Sequence, residues 1–249
     1  MQPTVACSPV ALVTGGAVRV GGAISRALAD AGYRLVVNYH SSAAAAEELR
    51  DILLAAGGEV TTVQADVSER SQVTRMMEVT LEQYGRLDLV VNNAAIIDEG
   101  DFLHLEPERW RRTMEVNLDG PFYVAQAAAR IMADAGGGRI INICGTAGVT
   151  PIGAYAPYCA AKAGLDMLTR CMAQALAPAI QVNGIAPGTV LFPEGAPEGD
   201  RQRVIAKIPG GAIGRPEDIA DAVCFLASAP DYITGTIIVV DGGASLGSA

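Results

Sequence analysis

Short apolar runs alternate with helix-length amphipathic segments along this chain. Runs at residues 10–13, 34–38, 60–64, 87–92, 139–143, 181–186 and 237–240 are rich in Val and Ile and bounded by Gly, Asp, Asn or Pro. That pattern reads as buried strands. Between them lie segments such as 68–84, where Val73, Met76, Met77, Thr80 and Leu81 fall on one helical face. The alternation predicts right-handed βαβ crossovers. The expected fold is α/β: a single Rossmann-type doubly wound domain over residues 1–249, with a mostly parallel seven-stranded sheet. No linker divides the chain, and Gly136–Gly138 read as a loop before a strand. One irregular Pro- and Gly-rich stretch, 188–214, follows a predicted strand. It is expected at the carboxyl edge of the sheet, as a substrate lid.

The turn Thr14-Gly15-Gly16-Ala17-Val18-Arg19-Val20-Gly21 leaves the first strand and opens a helix expected over 21–31. Helix N-terminal amides favour a pyrophosphate there, which makes Gly15, Arg19, Val20 and Gly21 candidates for holding a dinucleotide. The second strand runs into Asn38-Tyr39-His40-Ser41-Ser42, with no carboxylate before Glu47. An NAD-selective site puts a carboxylate here to bind the ribose 2′-hydroxyl. Asn38, His40, Ser41 and Ser42 can instead donate hydrogen bonds to a 2′-phosphate, so NADPH is the expected cofactor. Ser41 and Ser42 can also cap the following helix.

Tyr158 and Lys162 are four residues apart at the start of a helix expected to run to about Ala177 and to end at Pro178. The spacing places both on one face. A free tyrosine has a pKa of about 10. A neighbouring ammonium and the charge of the oxidised nicotinamide are expected to pull that value toward neutrality, so that Tyr158 can give a proton to a substrate oxygen or nitrogen. Tyr158 and Lys162 are also expected to border the cofactor, Lys162 holding the nicotinamide ribose. Asn117 lies four residues before Pro121, whose ring denies the Asn117 carbonyl its usual helical bond.

Composition narrows the alternatives. Half of the 249 residues are apolar, enough for a sizeable core. The net charge is −9, and no Lys/Arg run reaches four, so a grip on nucleic acid phosphates is not expected. Five cysteines without C-x-x-C spacing predict free thiols, no metal site and a cytoplasmic setting. Neither a signal-peptide pattern nor an apolar stretch of about 20 residues occurs, so no membrane association is expected. His40 and His104 are the two histidines, with no supporting motif for nucleophilic catalysis.

These residues resemble the short-chain dehydrogenase/reductase family over essentially the whole chain. The matching signatures are Ala65-Asp66-Val67, Asn92-Asn93-Ala94-Ala95, Asn117, Tyr158 with Lys162, Pro187-Gly188, and Ile233-Thr234-Gly235 with Val240-Asp241-Gly242-Gly243. The resemblance implies that Asp66 and Val67 meet the adenine and that Asn93 and Ala94 line the adenosine ribose. It implies that the segment from Pro187 and Gly188 to Val190 runs past the nicotinamide. It also implies a water joining Asn117 to Lys162 in a proton relay. A homotetramer is implied as well, built partly from helices at 109–133 and 158–177, the latter with Leu165, Leu168, Met172 and Leu176 at helical spacing.

Within the family, TGxxxRxG replaces the common TGxxxGxG and is similar to the pteridine reductase branch, as are residues 38–43 and 187–194. Arg19 either clamps phosphate or reaches into the substrate pocket. Two positions depart from that branch. Thirteen residues before Tyr158, where most of the family has Ser and pteridine reductases have Asp, stands Gly145. Thr146, Arg19 or a water is then expected to supply the missing polarisation. Ile97 stands where pteridine reductases carry an aromatic. Tyr155, at the Tyr-x6-Lys spacing of enoyl reductases, is expected to be a pocket wall. The expected function is NADPH-dependent reduction of a C=O or C=N bond in a small substrate, pteridine-like compounds included. The alternatives are a 3-oxoacyl-thioester (acyl-carrier-protein) reductase, for which Arg111-Arg112 would offer a docking patch, and a non-catalytic NADP(H)-binding sensor.

Overall fold

The computed structural model describes residues 8–193 and 195–246; Cys7 and Glu194 lie outside the described residues. In chain order the regular elements are β1 (Val10–Val13), α1 (Arg19–Asp30), β2 (Arg34–Tyr39), α2 (Ala43–Ala55), β3 (Val60–Gln64), α3 (Arg70–Tyr84) and β4 (Leu89–Asn92). They continue with α4 (Pro107–Met114), α5 (Gly120–Asp134), β5 (Gly138–Ile143), α6 (Ala156–Leu176), β6 (Ile180–Pro187), α7 (Glu198–Ile205), α8 (Pro216–Ser228) and β7 (Ile237–Val240). The seven strands form one sheet in the order β3-β2-β1-β4-β5-β6-β7, and every adjacent pair is parallel.

The inner strands are apolar on both faces because both faces are covered, whereas the edge strands β3 and β7 are only partly buried. Ala11, Val13, Leu35, Val37, Leu89, Val91, Ile141 and Ile185 point into a core with Ile24, Leu28, Leu49, Ile219 and Val223 of α1, α2 and α8. The alternate residues Val10, Leu12, Val36, Val90, Ile140 and Val182 meet Val73, Met76, Val124, Ala128 and Met132 of α3 and α5. The order reverses between β1 and β4, so the loops after those strands open a crevice at the carboxyl edge, where ligands of such sheets bind.

Three segments differ from the sequence expectation. The helix expected over 109–133 is two helices joined by a π turn at Glu115–Asp119, where the Gly120 amide reaches back to the Glu115 carbonyl. Pro121 cannot donate, so the ladder widens by one residue there. In α6, Leu165 is fully buried, and Met172 and Leu176 pack on the core beneath the sheet. The Leu165 stripe of that helix is therefore its inward face, while Met167 on the neighbouring face is exposed. The stretch after β6 is less irregular than expected. It contains α7, and Gly210 and Gly214 donate to the Gly242 and Thr189 carbonyls at 2.8 and 3.0 Å. No helix among the described residues is long and apolar enough to cross a membrane, and no cluster of His, Cys, Asp or Glu among them could hold a metal ion.

Candidate active site

The turn after β1 is pinned from behind. Thr14 Oγ1 accepts from the Asn93 and Ala94 amides, both at 3.0 Å, while Asn93 Nδ2 donates to the Thr14 and Gly15 carbonyls at 2.9 and 3.1 Å. Gly15 lies at φ +58°, and a Cβ at Gly21 would collide with the Gly15 carbonyl oxygen and reach within 2.6 Å of Asn93 Nδ2. Both glycines are thus dictated by the close approach of the turn to the end of β4. Arg19 is the one non-glycine with positive φ among the described residues, at +53°. Its side chain is exposed. Val18, the N-cap of α1, offers no side-chain acceptor, and the first amides of a helix have no internal partner. An uncapped helix start facing the crevice fits the phosphates of a dinucleotide.

Asn38 does not serve as expected. It is buried; its Oδ1 accepts from the Gly15 amide at 3.2 Å, and Nδ2 donates to the Tyr39, Val63 and Ala65 carbonyls at 3.3, 3.2 and 3.0 Å. The whole amide is spent on tying the glycine turn to β2 and β3, and none of it remains for a phosphate. Tyr39 is half-buried against the core under α1 and α2, whereas His40 and Ser41 are exposed. Ser42 is the N-cap of α2, yet its hydroxyl makes no capping bond. The capping alternative is therefore not realised, and the start of α2 is open beside His40 and Ser41.

Asp66 follows β3. Its Oδ1 accepts from the Ser68 amide and hydroxyl at 3.0 and 2.7 Å, and its Oδ2 accepts from Arg112 Nη2 at 2.7 Å. His40 Nε2 stands 3.7 Å from Oδ2. Burial opposes ionisation, but the bonds from Ser68 and Arg112 outweigh it and hold the carboxyl below its usual range. Val67 is buried nearby. Arg112 also donates to Ser68 Oγ, and Arg111 pairs with Glu108. Arg112 is thus committed to Asp66 and Ser68 within the chain, while Arg111 stays exposed beside Glu108.

Tyr158 and Lys162 share one face of α6, with the Lys162 ammonium 5.5 Å from the centre of the Tyr158 ring. Lys162 is 2% exposed and donates to the Ile143 carbonyl at 2.8 Å. Burial lowers its pKa to about 8. The Tyr158 phenol is pushed the other way, up to about 12, by burial and by the neighbouring Cys159 and Cys144. Burial raises the phenol in the protein alone; the expected descent draws also on the charge of an oxidised nicotinamide. Gly145 faces this pair: a Cβ there would stand 3.5 Å from the Tyr158 hydroxyl and 4.0 Å from Lys162 Cγ, ordinary contacts. Its φ of 164° is extended backbone that any residue adopts. The Thr146 hydroxyl is turned away, donating to the Pro187 carbonyl at 3.3 Å, and so joins this loop to the end of β6.

The Asn117 side chain is also committed. It donates to the Ile96 carbonyl at 2.8 Å and accepts from the Ile96 amide at 3.0 Å, holding the loop after β4 against the π turn. Ile97, next along that loop, is 64% exposed. Tyr155 donates to Glu99 Oε2 at 3.1 Å, and Gly100 donates to the Ala154 carbonyl at 2.9 Å. Arg109 fixes the same loop through Asp98 and the Glu99 carbonyl. Tyr155 thus ties the loop after β4 to the segment before α6. Gly188, against Asp241, and Val190, packed on the α1 side of the sheet, continue from Pro187 along the carboxyl edge. Sequence reasoning missed the Arg112–Asp66 pair, which links segments 46 residues apart. It also missed Asp166, which its position four residues after Lys162 could have signalled.

A family model described as enoyl-(acyl carrier protein) reductase matches residues 16–245. The chain is 37% identical to a 3-oxoacyl-[acyl-carrier-protein] reductase of Synechocystis sp., over 96% of this chain and 98% of that one. It is 37% identical to versicolorin reductase stcU of Emericella nidulans, over 94% and 95%. A crystal structure of a gluconate 5-dehydrogenase from Burkholderia cenocepacia, in complex with NADP and tartrate, superposes with a TM-score of 0.90 at 34% identity, covering 96% of this chain and 95% of that one.

Proposed function

Because this chain belongs to the short-chain dehydrogenase/reductase family of nicotinamide-dependent oxidoreductases, we propose that it uses NADPH to reduce a ketone, with 3-oxoacyl thioesters as the substrate class. The observation that carries the reading is the pairing of half-buried Tyr158 with buried Lys162 at the carboxyl edge, beside a glycine turn with an uncapped helix start. When bound, the dinucleotide supplies the hydride. Gly15, Val20 and Gly21 hold its pyrophosphate, with Arg19 adding charge. Asp66 and Val67 meet its adenine, and Asn93 and Ala94 border its adenosine ribose. Pro187, Gly188 and Val190 flank its nicotinamide. His40, Ser41 and the open start of α2 take the 2′-phosphate, and Tyr39 borders it.

Tyr158 gives its phenolic proton to the carbonyl oxygen. The phenol is protonated at neutral pH, the form that can act as the acid in the reducing direction. Lys162 steadies the phenolate left behind, and the main chain at Asn117, freed by Pro121, leads a proton back through water. Thr146 does not replace a serine at Gly145, so the proton from Tyr158 is the main stabilisation that the protein offers the oxyanion. The names of the relatives above favour ketones over pterins. Arg19 in its left-handed turn is the one feature that keeps the pteridine-type substrate in view. Homotetramer formation, a family expectation, is checked by light scattering.

The test is NADPH oxidation by purified protein against acetoacetyl thioesters, diketones, cyclic imines and dihydropteridines. Acetoacetyl thioester is the expected substrate. Turnover of dihydropteridines alone overturns the thioester reading, and tight NADPH binding with no turnover at all makes the protein a sensor. NADPH should bind at least about tenfold tighter than NADH, roughly 1.4 kcal/mol, and Tyr39→Asp should narrow that gap.

A further inference from the structure

Lys162 is the least comfortable charge in the protein. Its ammonium is shut away from water, and a single carbonyl, that of Ile143, is its hydrogen-bond acceptor. A buried ammonium held only by a neutral carbonyl is poorly compensated. One turn along α6, on the same face, stands Asp166. Its Oδ1 is likewise sealed from solvent and has no hydrogen-bond partner. A buried ammonium and a half-buried carboxylate with one sealed oxygen thus lie on one helical face.

The loop that carries Gly145 makes room for this carboxylate. A Cβ at Gly148 would come within 2.9 Å of Asp166 Oδ2 and 3.2 Å of the Lys162 carbonyl carbon. Only a glycine lets that loop lie flush on α6 with the carboxylate between them. The groups that act on Asp166 come from two elements. From the end of β5 comes Cys144, whose thiol burial pushes up to about 12, so it is neutral and lies against the carboxylate. Burial is the largest influence and holds the Asp166 carboxyl above its usual range, while Lys162 and Arg170 of α6 itself favour the ionised form and offset part of that rise. The loop at 145–148 brings no titratable group.

We propose that Asp166 is a positioning residue whose carboxylate, seated between α6 and the Gly145–Gly148 loop, keeps the buried Lys162 ammonium charged. The influence of Asp166 on Lys162 is independent of the reaction, whereas its consequence for turnover rests on the ketone reductase reading above. With Asp166 ionised, the protonated amine is favoured. With a neutral side chain there, Lys162 must give up its proton at lower pH.

The sequence offers a clean reporter, since Lys162 and Lys207 are its two lysines. Cofactor-free protein labelled with 13C at lysine Cε then gives two resonances, and Lys207→Arg leaves Lys162 alone. In Asp166→Asn the Lys162 midpoint should fall by about one pH unit, a tenfold weaker hold on the proton, while Asp166→Glu should retain most of the wild-type value. In the wild type, the Lys162 resonance should also show a second, smaller step at acid pH as Asp166 protonates. An unchanged midpoint in Asp166→Asn overturns the proposal; should that variant not fold, a wild-type Lys162 resonance without the acid step overturns it equally. Under the reductase reading, Asp166→Asn also moves the basic limb of kcat/KM to lower pH and leaves NADPH affinity unchanged. A shifted Lys162 resonance with no shift of that limb would count against the reductase reading and leave the role of Asp166 standing.

Discussion

Arg19 holds a backbone conformation that an L-residue adopts at a cost. At φ +53° its Cβ crowds the following carbonyl, and the left-handed region costs about 1–2 kcal/mol for a residue with a side chain. Arg19→Gly removes that strain, but glycine gives back about 0.5–1 kcal/mol in unfolded-state entropy. The net gain is about 0.5–1 kcal/mol. At roughly 2–4 °C per kcal/mol for a chain of this size, Tm should rise by about 1–4 °C. Arg19→Ala keeps the Cβ and the strain, so its stability should stay at or below the wild type, given that the Arg19 side chain is exposed. Both variants lose the guanidinium proposed to lie beside the phosphates, so NADPH affinity should drop about tenfold in each. Thermal and urea unfolding of the cofactor-free variants, paired with fluorescence titration of NADPH, separates the two effects. The glycine variant should be more stable and bind less tightly; the alanine variant should only bind less tightly. An alanine variant as stable as the glycine one would refute the strain, and unchanged NADPH affinity in both would remove Arg19 from the cofactor site.

Stability should also carry the signature of the Tyr158–Lys162 pair. Lys162 sits at about 8 folded against 10.5 free, so between those values the native state has released a proton that the unfolded chain keeps, and its contribution to stability rises with pH. Tyr158 sits at about 12 against 10.0, so above pH 10 the unfolded chain ionises first and that contribution falls. Urea titrations from pH 7 to 11 should show the rise lost in Lys162→Met; an identical profile in that variant contradicts the burial argument. Gly145→Ser should fold with Tm unchanged, since its Cβ meets the Tyr158 hydroxyl at an ordinary 3.5 Å. It should raise turnover of a small ketone several-fold by adding a hydrogen bond to the oxyanion; lower turnover would show that the substrate itself fills the space. Asn38→Asp turns a donor that faces three carbonyls into an acceptor and should cost about 3 kcal/mol in urea unfolding.

Much of this protein is legible without coordinates. Val and Ile runs at strand length, separated by amphipathic segments, can be buried on both faces only in a parallel sheet with helices on each side. The glycine turn and the Tyr158–Lys162 spacing are local in sequence, so one turn and one helix are enough to bring their members together. The rest depends on distant parts of the chain. Asn38 looks like a phosphate donor until the register with Val63 and the approach of Gly15 occupy its whole amide. Arg111-Arg112 looks like a basic patch until α4 folds back and commits Arg112 to Asp66. The Tyr158 phenol looks primed by an ammonium until burial by the surrounding segments is included, and in the protein alone that sum moves it away from neutrality. Local geometry follows from bond angles and side-chain shape, which the sequence states directly. Burial, register and the balance of charges are sums over neighbours that only the folded chain brings into contact.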